Sequence, residues 1–228
     1  MTELFEYKTL PSAVKAASDY LKKQINESSG KVLLLLSGGS SLNPVKEAFS
    51  SLDSKTLARI RLAQVDALLV PPEDELNNGR QIQEALGPNL DKTAGLTRVI
   101  TMGDDGEDMA IAYEMELESM LNTSDYAIGV YGIGTDGRLA GMLPMRSPED
   151  FTPFLDGRLV VNYVAADFER VATTQELLVR LDEVVVFATG PEKVKAVDKI
   201  NQSLPAHKSP TQLLKDAKRA TIFLSEEL

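Results

Sequence analysis

Cysteine is absent from the sequence, and histidine occurs once, at position 207. The absence of cysteine excludes a disulfide framework, a cysteine-based zinc site and a thiol nucleophile. A single histidine excludes histidine-rich metal sites and leaves His207 as the one residue through which serine–histidine catalysis would run. Because His207 lies in the polar segment SLPAHKSP, we expect its imidazole to be exposed and not catalytic. Nothing in the sequence calls for a metal or another cofactor.

Long apolar runs are also missing. The longest, such as 32–36 and 184–188, have the length of one strand, whereas a membrane span needs about 18 or more apolar residues. The N-terminal residues MTELFEYKTL are acidic where a signal peptide would be basic and then apolar. We therefore expect a soluble, cytoplasmic protein without a membrane partner.

Basic residues are the scarcer charged class: 24 Lys and Arg stand against 34 Asp and Glu, a formal net charge of −10. Such an acidic chain is not expected to bind nucleic acid, which needs a basic face. It would bind an anionic small molecule where its few cations gather locally. The sequence leaves the oligomeric state open.

The remaining composition is that of an ordinary globular protein, with 43% apolar and 25% charged residues. The length of 228 residues favours one sizeable domain over two small ones. No internal repeat, low-complexity tract or Gly/Ser-rich linker interrupts the sequence. We predict a single domain over residues 1–228.

Helical and extended patterns alternate along the chain. Apolar spacing and capping residues predict helices over 12–27, 43–49, 81–86, 108–121, 175–180, 192–201 and 210–215. Apolar runs predict strands over 31–36, 59–70, 98–101, 125–134, 158–164, 170–174, 183–190 and 220–224. This alternation predicts βαβ units and a parallel sheet with helices on both faces. The residues of the helix over 108–121 expected to face the core are Met109, Ala112, Met115 and Met120.

Four of the predicted strands end in loops rich in glycine or polar residues. These loops are 37–41 (SGGSS), 65–72 (VDALLVPP), 131–141 (YGIGTDGRLAG) and 188–193 (ATGPEK). In parallel α/β sheets, ligands bind beyond the carboxyl ends of the strands. We therefore expect the four loops to converge on one cleft.

The loop after the first buried strand is a candidate anion site. Gly38 and Gly39 let the backbone approach a ligand, free N–H groups at the start of the next helix attract anions, and the hydroxyls of Ser37 and Ser40 add donors. The loop matches neither a dinucleotide-binding nor a Walker A pattern, and a plain strand–helix turn is the alternative. The continuous strand before it favours phosphate binding.

Several charged residues lie in or near these loops. Arg170, at a strand start, and Lys193 are candidate phosphate ligands, although each alone also fits an ordinary surface position. Arg138 would pair either with an anionic ligand or with one of the surplus carboxylates. Asp66, which closes an apolar strand, and Asp136, in a glycine-rich loop, are candidate acids or bases. Alternatively, Asp66 is simply solvated at the end of its strand, and Asp136 is an ordinary turn residue.

Taken in order, these segments resemble the 6-phosphogluconolactonase family, which is related to the glucosamine-6-phosphate deaminases and isomerases. The similarity rests on SGGSS, VD followed by VP, NNG, GIGTDG followed by A and LP, RVATT and VVFATGPEK, and it spans residues 5–226. The resemblance implies a Rossmann-like three-layer α/β/α sandwich with a mostly parallel sheet. It also implies one site at the strand ends for a phosphorylated sugar or sugar lactone, and lactone hydrolysis in the pentose phosphate pathway.

The resemblance carries over well for the phosphate half of the family's site, where the counterparts are the loop 37–40, Arg170 and Lys193. The catalytic half departs from the pattern. The family motif G-x-G-x-D-G-H-x-A-S-x-F-P is matched by residues 132–144, with Arg138 in the place of the histidine that is thought to activate water. An arginine stays protonated and cannot accept that proton.

Further departures reduce the expected activity. The family's D-E-R triplet reads D-A-L at 66–68, which removes a carboxylate and a cation that would stabilise developing charge. The histidine and glutamate of the deaminases are replaced by Arg138 and Leu143. Asp66 and Asp136 remain as candidate bases, and we expect impaired lactone hydrolysis. The alternatives are a non-catalytic sugar-phosphate-binding or sensing protein, and a different reaction in which Arg138 holds a second anionic group such as a carboxylate.

Overall fold

The computed structural model of the protein describes residues 2–99 and 105–228. Within these residues the chain forms nine strands and eight α-helices. The strands are β1 (Thr2–Tyr7), β2 (Val32–Leu36), β3 (Ile60–Gln64), β4 (Asp66–Leu68), β5 (Tyr126–Gly132), β6 (Val160–Val164), β7 (Glu169–Thr173), β8 (Glu183–Thr189) and β9 (Ala220–Ser225). The helices are α1 (Leu10–Glu27), α2 (Leu42–Ser51), α3 (Ser54–Leu57), α4 (Asn78–Leu86), α5 (Gly106–Thr123), α6 (Pro148–Phe151), α7 (Gln175–Arg180) and α8 (Pro191–Asp198).

Six strands form one parallel sheet in the order β1-β9-β8-β5-β2-β3. The other three form a smaller antiparallel sheet in which β7 lies between β4 and β6. Helices cover both faces of the large sheet. The predicted three-layer α/β/α architecture with a mostly parallel sheet is confirmed.

Burial on both faces explains the uninterrupted apolar strands. Every residue of β2 and of β8 is buried. Because successive side chains of a strand point to opposite faces, Leu33 and Leu35 of β2 enter one core, whereas Val32, Leu34 and Leu36 enter the other. Residues of α5, α7 and α8 complete the first core, and residues of α1, α2 and α4 complete the second.

Helix α5 buries a different face from the one predicted. Its buried apolar stripe follows a spacing of three, four and three residues and consists of Ala110, Tyr113, Leu117 and Met120. The expectation that Met115 faces the core is wrong, since this side chain is 70% exposed. Met115 lies two residues from Tyr113 and two from Leu117, which places it on the opposite side of the helix. Met109 and Ala112 are half-buried.

Other predicted elements also differ from the structure. The predicted strand over 59–70 is divided, because β3 ends at Gln64 and β4 begins the smaller sheet at Asp66. Residues 210–215 form a 3₁₀ turn rather than an α-helix. Edge strand β1 escapes prediction because its residues are exposed or half-buried and show no alternation. The predicted strand over 98–101 lies partly outside the described residues, and 98–99 are not in a strand.

The longest helices, α1 and α5, have 18 residues each. Both carry several charged side chains. No helix in the described part of the chain is long and apolar enough to cross a membrane.

Candidate active site

The carboxyl ends of the central strands open into one cleft of about 350 Å³. Parallel strands place these ends at the same edge of the sheet, so the loops after β2, β5 and β8 meet there, together with strands β4 and β7 of the smaller sheet. Each of the four predicted loops contributes to the lining, through Ser37, Asp66, Arg138 and Lys193 respectively. The prediction that the four loops converge on one cleft is therefore confirmed.

The loop 37–41 is held against the sheet and lines the cleft through Ser37, Gly38, Gly39 and Ser40. Ser37 donates its backbone N–H to a carbonyl of β5 at 3.0 Å. The Ser41 hydroxyl donates to the Gly38 carbonyl at 2.9 Å. Gly39 has φ of 69°, in the region that favours glycine. The loop thus brings two glycines and two serines to the cleft at a strand–helix junction, a place where anions often bind.

Gln81 of α4 ties this loop to the segment before α4. The backbone N–H of Gly39 donates to Oε1 of Gln81 at 2.9 Å, and Nε2 of Gln81 donates to the Glu75 carbonyl at 2.8 Å. A Cβ on Gly38 would lie 2.3 Å from the same Oε1, so a side chain there would displace Gln81. The sequence analysis does not single out Gln81, because its partners are backbone groups that no sequence motif identifies.

Asp66 and Ser37 bring two unsatisfied polar atoms to the cleft. Both residues are buried, with 9% and 3% of their surface exposed. Asn78 donates to Oδ2 of Asp66 at 3.2 Å, whereas Oδ1 of Asp66 and Oγ of Ser37 have no hydrogen-bond partner among the described residues. Buried polar atoms are normally paired, so these two atoms are exceptions, and both belong to residues that line the cleft.

Burial raises the pKa of the Asp66 carboxyl above its ordinary range. The hydrogen bond from Asn78, the adjacent Ser37 hydroxyl and the charges of Arg138 and Arg170 oppose this rise without cancelling it. Asp66 is therefore not a solvated strand-end residue. Its carboxyl group is placed to hold or release a proton inside the cleft.

Arg170 of β7 lines the cleft with its charge already paired. Its guanidinium donates to both carboxylate oxygens of Asp167, at 2.7 and 2.8 Å, and to the Phe168 carbonyl at 2.9 Å. These bonds hold the pKa of Asp167 well below its ordinary range. Arg170 is buried, with 4% of its surface exposed, so it fixes the turn between β6 and β7 as well as facing the cleft.

Arg138 and Lys193 bring unpaired positive charge to the cleft. In the described part of the chain, neither side chain forms a hydrogen bond or an ion pair. Lys193 is half-buried in the first turn of α8; burial lowers its pKa, and the nearby charge of Arg138 acts in the same direction. Arg138 is exposed, and its Cγ lies 2.5 Å from where a Cβ on Gly134 would stand. Gly134 thus leaves the space that the Arg138 side chain uses.

Asp136 is not among the described residues that line the cleft. It is exposed, and its carboxylate accepts the backbone N–H of Arg138 at 3.1 Å. Gly137 follows with φ of 93°. The structure therefore places Asp136 in a tight turn beside the cleft residue Arg138.

The expectation of an exposed His207 is wrong, because this residue is buried, with 9% of its surface exposed. Backbone hydrogen bonds from Lys208 and Ser209 to Pro205 fold the segment back on itself. The carbonyl of His207 also accepts the N–H of Met145 at 2.7 Å. His207 is not among the described residues that line the cleft.

Solved structures of other proteins share this fold across almost the whole chain. The 6-phosphogluconolactonase from Thermotoga maritima is 20% identical with a TM-score of 0.78, over 99% of this chain and 100% of that chain. A 6-phosphogluconolactonase from Shewanella baltica is 18% identical with a TM-score of 0.80, over 99% and 98% of the two chains. A monomeric glucosamine-6-phosphate deaminase is 14% identical with a TM-score of 0.81, over 99% and 98%. At these identities the likeness shows the fold.

The family comparison is made on the sequence. A search of the curated proteins found no match. The sequence model of the family described as glucosamine-6-phosphate isomerases/6-phosphogluconolactonase matches residues 8–223, which include every loop of the cleft. The chain therefore belongs to the family of glucosamine-6-phosphate isomerases and 6-phosphogluconolactonases.

Proposed function

We propose that this protein binds a phosphorylated sugar or sugar lactone in the cleft and hydrolyses the lactone weakly. The observation that carries the proposal is unpaired positive charge: Arg138 and Lys193 line the same cleft as the loop 37–40, in a chain whose net charge is −10. Backbone N–H groups and cations are the groups that bind phosphate. A single domain over residues 1–228, a cytoplasmic location and a role in the pentose phosphate pathway belong to the same proposal.

In this proposal the loop 37–40 and Lys193 bind the phosphate group. The ammonium of Lys193 supplies a charge that no carboxylate of the described chain neutralises through an ion pair. Arg170 contributes less charge because Asp167 is bound to it. A guanidinium has five N–H donors, so Arg170 still has donors for the ligand beyond those that hold Asp167 and Phe168.

Lactone hydrolysis requires a water molecule to lose a proton as its oxygen bonds to the lactone carbonyl carbon. Arg138 cannot accept this proton, whereas Asp66 can when it is ionised. Negative charge then develops on the carbonyl oxygen, where the Arg138 guanidinium would stabilise it. When the bond between the carbonyl carbon and the ring oxygen breaks, the ring oxygen takes the proton from Asp66. Asp136, the other candidate base, is the weaker one because it is not among the described residues that line the cleft.

Two properties of the site make this reaction slow. The family's histidine is replaced by Arg138, and a positioned general base contributes roughly 10²–10⁴-fold to a rate. Burial also raises the pKa of Asp66, which reduces the ionised fraction that acts as a base. The second candidate function is that of a non-catalytic sugar-phosphate-binding or sensing protein. It is favoured because the guanidinium of Arg138, rather than an imidazole, lines the cleft.

The test is hydrolysis of freshly prepared 6-phosphoglucono-δ-lactone by the wild type and by Arg138→His, with spontaneous hydrolysis subtracted. We expect Arg138→His to raise the rate by about 10²-fold, because it restores a group that accepts a proton near neutral pH. Arg146→His is the matched control, since Arg146 is exposed and is not among the described residues that line the cleft. If Arg138→His hydrolyses the lactone no faster than the wild type does, the proposal that Arg138 weakens hydrolysis is contradicted.

A binding measurement separates the two candidate functions. A phosphosugar is expected to raise the melting temperature of the wild type and of Lys195→Ala, whose exposed lysine lies on the same helix α8. Lys193→Ala is expected to lose most of this shift. A shift without any turnover above the spontaneous rate would favour the non-catalytic function. No shift with any phosphosugar would contradict both.

A further inference from the structure

Arg138 lines the cleft with a guanidinium that is unpaired among the described residues. The lactone ring of a phosphorylated lactone carries no negative charge that would pair with this guanidinium. We propose that the cleft prefers a phosphorylated sugar acid, with the Arg138 guanidinium binding the carboxylate while Lys193 and the loop 37–40 bind the phosphate. This inference rests on the proposed phosphosugar function and names the ligand class that the same site would select.

The described groups around Arg138 leave its guanidinium free for a ligand. Asp136 is adjacent, but its carboxylate accepts the backbone N–H of Arg138 and not the side chain. Asp66 has its Oδ2 bound to Asn78, and burial disfavours its charged form. Asp167 is committed to Arg170 through two hydrogen bonds. In the described part of the chain, none of these three carboxylates is hydrogen-bonded to or ion-paired with the Arg138 side chain.

The positive charges of the cleft come from separate elements. Arg138 lies on the loop after β5, and Lys193 lies in the first turn of α8 after β8. Arg138 is close enough to both Asp66 and Lys193 for its charge to shift the pKa of each. Arg138 thus belongs to the same electrostatic site as the phosphate-binding group without sharing its loop, which suits a ligand with a second anionic group.

The chemistry of the guanidinium favours a carboxylate over a lactone. A carboxylate carries a full charge and accepts two parallel N–H bonds from an arginine, whereas a lactone carbonyl is neutral and has one acceptor oxygen. An imidazole at this position would offer neither the permanent charge nor the fork of donors. The replacement that removes the family's base therefore supplies a carboxylate-binding group.

The experiment compares 6-phosphogluconate with glucitol 6-phosphate, which carries a CH₂OH group in place of the carboxylate. We expect the wild type to bind 6-phosphogluconate at least about tenfold more tightly, within the range for a charge-assisted bidentate pair. Arg138→Gln is expected to abolish this preference while glucitol 6-phosphate still binds. Arg138→Lys is expected to retain part of it, and Arg146→Gln, the exposed control, all of it.

The outcomes that overturn the inference differ from those that overturn the function. Equal wild-type affinity for the two ligands would contradict the acid preference but leave phosphosugar binding intact. A preference that survives in Arg138→Gln would show that another group binds the carboxylate. If neither ligand binds the wild type, the proposed function itself fails and the acid preference with it. Calorimetric titration at fixed pH and salt measures all of these affinities.

Discussion

Asp66 carries a carboxyl group into a place where burial makes its charge costly. Its neighbours offset part of the free-energy cost of that buried charge, since Asn78 donates to one carboxylate oxygen and two arginines lie nearby. The other oxygen has no partner among the described residues. Such an incompletely paired polar group is typical of a functional site, where stability is given up for binding or catalysis.

Replacing Asp66 by Asn tests this balance. Because the pKa of Asp66 is raised in the folded state, its stabilising contribution is present at pH below its ordinary pKa and is lost as pH rises through the folded value. We therefore expect Asp66→Asn to stabilise the protein at pH 7 by about 1 kcal/mol and to change stability little near pH 3.5. Urea unfolding at both pH values measures this. Equal effects of Asp66→Asn on stability at the two pH values would contradict the prediction. Separately, the rate of lactone hydrolysis should fall in Asp66→Asn, because the variant lacks the proposed base.

The sequence predicts the positions of some residues of the candidate site better than those of others. Arg138 and Lys193 are identified because glycine-rich loops after buried strands place them at the strand ends. The engagement of Arg170 by Asp167 is not predictable in the same way, because it depends on the turn between β6 and β7 bringing the two together. The burial of His207 depends likewise on backbone contacts of a segment whose composition is polar.

At the scale of elements, α4 acts on the cleft through one side chain. Gln81 connects the loop 37–41 with the segment before α4 by two hydrogen bonds. One bond reaches the first N–H of the short 3₁₀ turn 39–41 and the other reaches a carbonyl of the turn before α4. Neither backbone group is paired within a sheet or an α-helix, so the side chain supplies its partner. Gln81 is therefore a positioning residue for the loop 37–41, which we propose binds phosphate.

Gln81→Ala is expected to loosen this loop without unfolding the protein. The global stability loss should be about 1 kcal/mol, the usual net value of a hydrogen bond, while the amide of Gly39 should exchange with solvent markedly faster. Amide hydrogen exchange followed by NMR or mass spectrometry measures the change. Gln83→Ala is the matched control, because Gln83 is exposed on the same helix. An unchanged exchange rate at Gly39 would show that Gln81 does not hold the loop.

Elements were predictable where burial is two-sided and less so elsewhere. The strands β2, β5 and β8 read as continuous apolar runs because both of their faces are covered. The division between β3 and β4 leaves no mark in the sequence, because residues 60–68 are largely apolar on both sides of the break. Edge strand β1 has one neighbouring strand and little burial, so no alternation marks it.

At the scale of the whole molecule, a second buried carboxylate lies at the start of β8. Glu183 is fully buried and accepts hydrogen bonds from Tyr20 at 3.0 Å and Thr221 at 3.1 Å. Nε of Arg219 lies 3.0 Å from its other oxygen, an ion-pair contact without hydrogen-bond geometry. Burial raises the pKa of Glu183, and the hydrogen bond from Tyr20 and the charge of Arg219 oppose the rise.

Arg219→Gln is expected to destabilise the protein more at neutral pH than in acid. The loss in acid reflects the hydrogen bonds of Arg219 to Tyr126 and Gln24, which do not depend on the charge of Glu183. Without the arginine the folded-state pKa of Glu183 rises further, so the cost of its charge appears as pH increases through that value. We expect a loss of about 1 kcal/mol at pH 7, reduced because Arg219 is half-exposed, and a smaller loss near pH 4. Thermal unfolding at the two pH values measures the difference. Arg61→Gln, which breaks an exposed pair with Glu116, should have almost no effect at either pH.

The two buried carboxylates lie in different sheets. Glu183 lies where β8 begins in the parallel sheet, and Asp66 lies where β4 begins in the smaller sheet, beside the cleft beyond the carboxyl ends of the parallel strands. Among the described residues they have no hydrogen-bond partner in common, so substitutions at the two places should have nearly additive effects on stability. Loop residues of the cleft such as Arg138 can therefore be substituted to change the chemistry of the site without altering the buried core that stabilises the fold. For this protein, Arg138→His is the first such exchange to make.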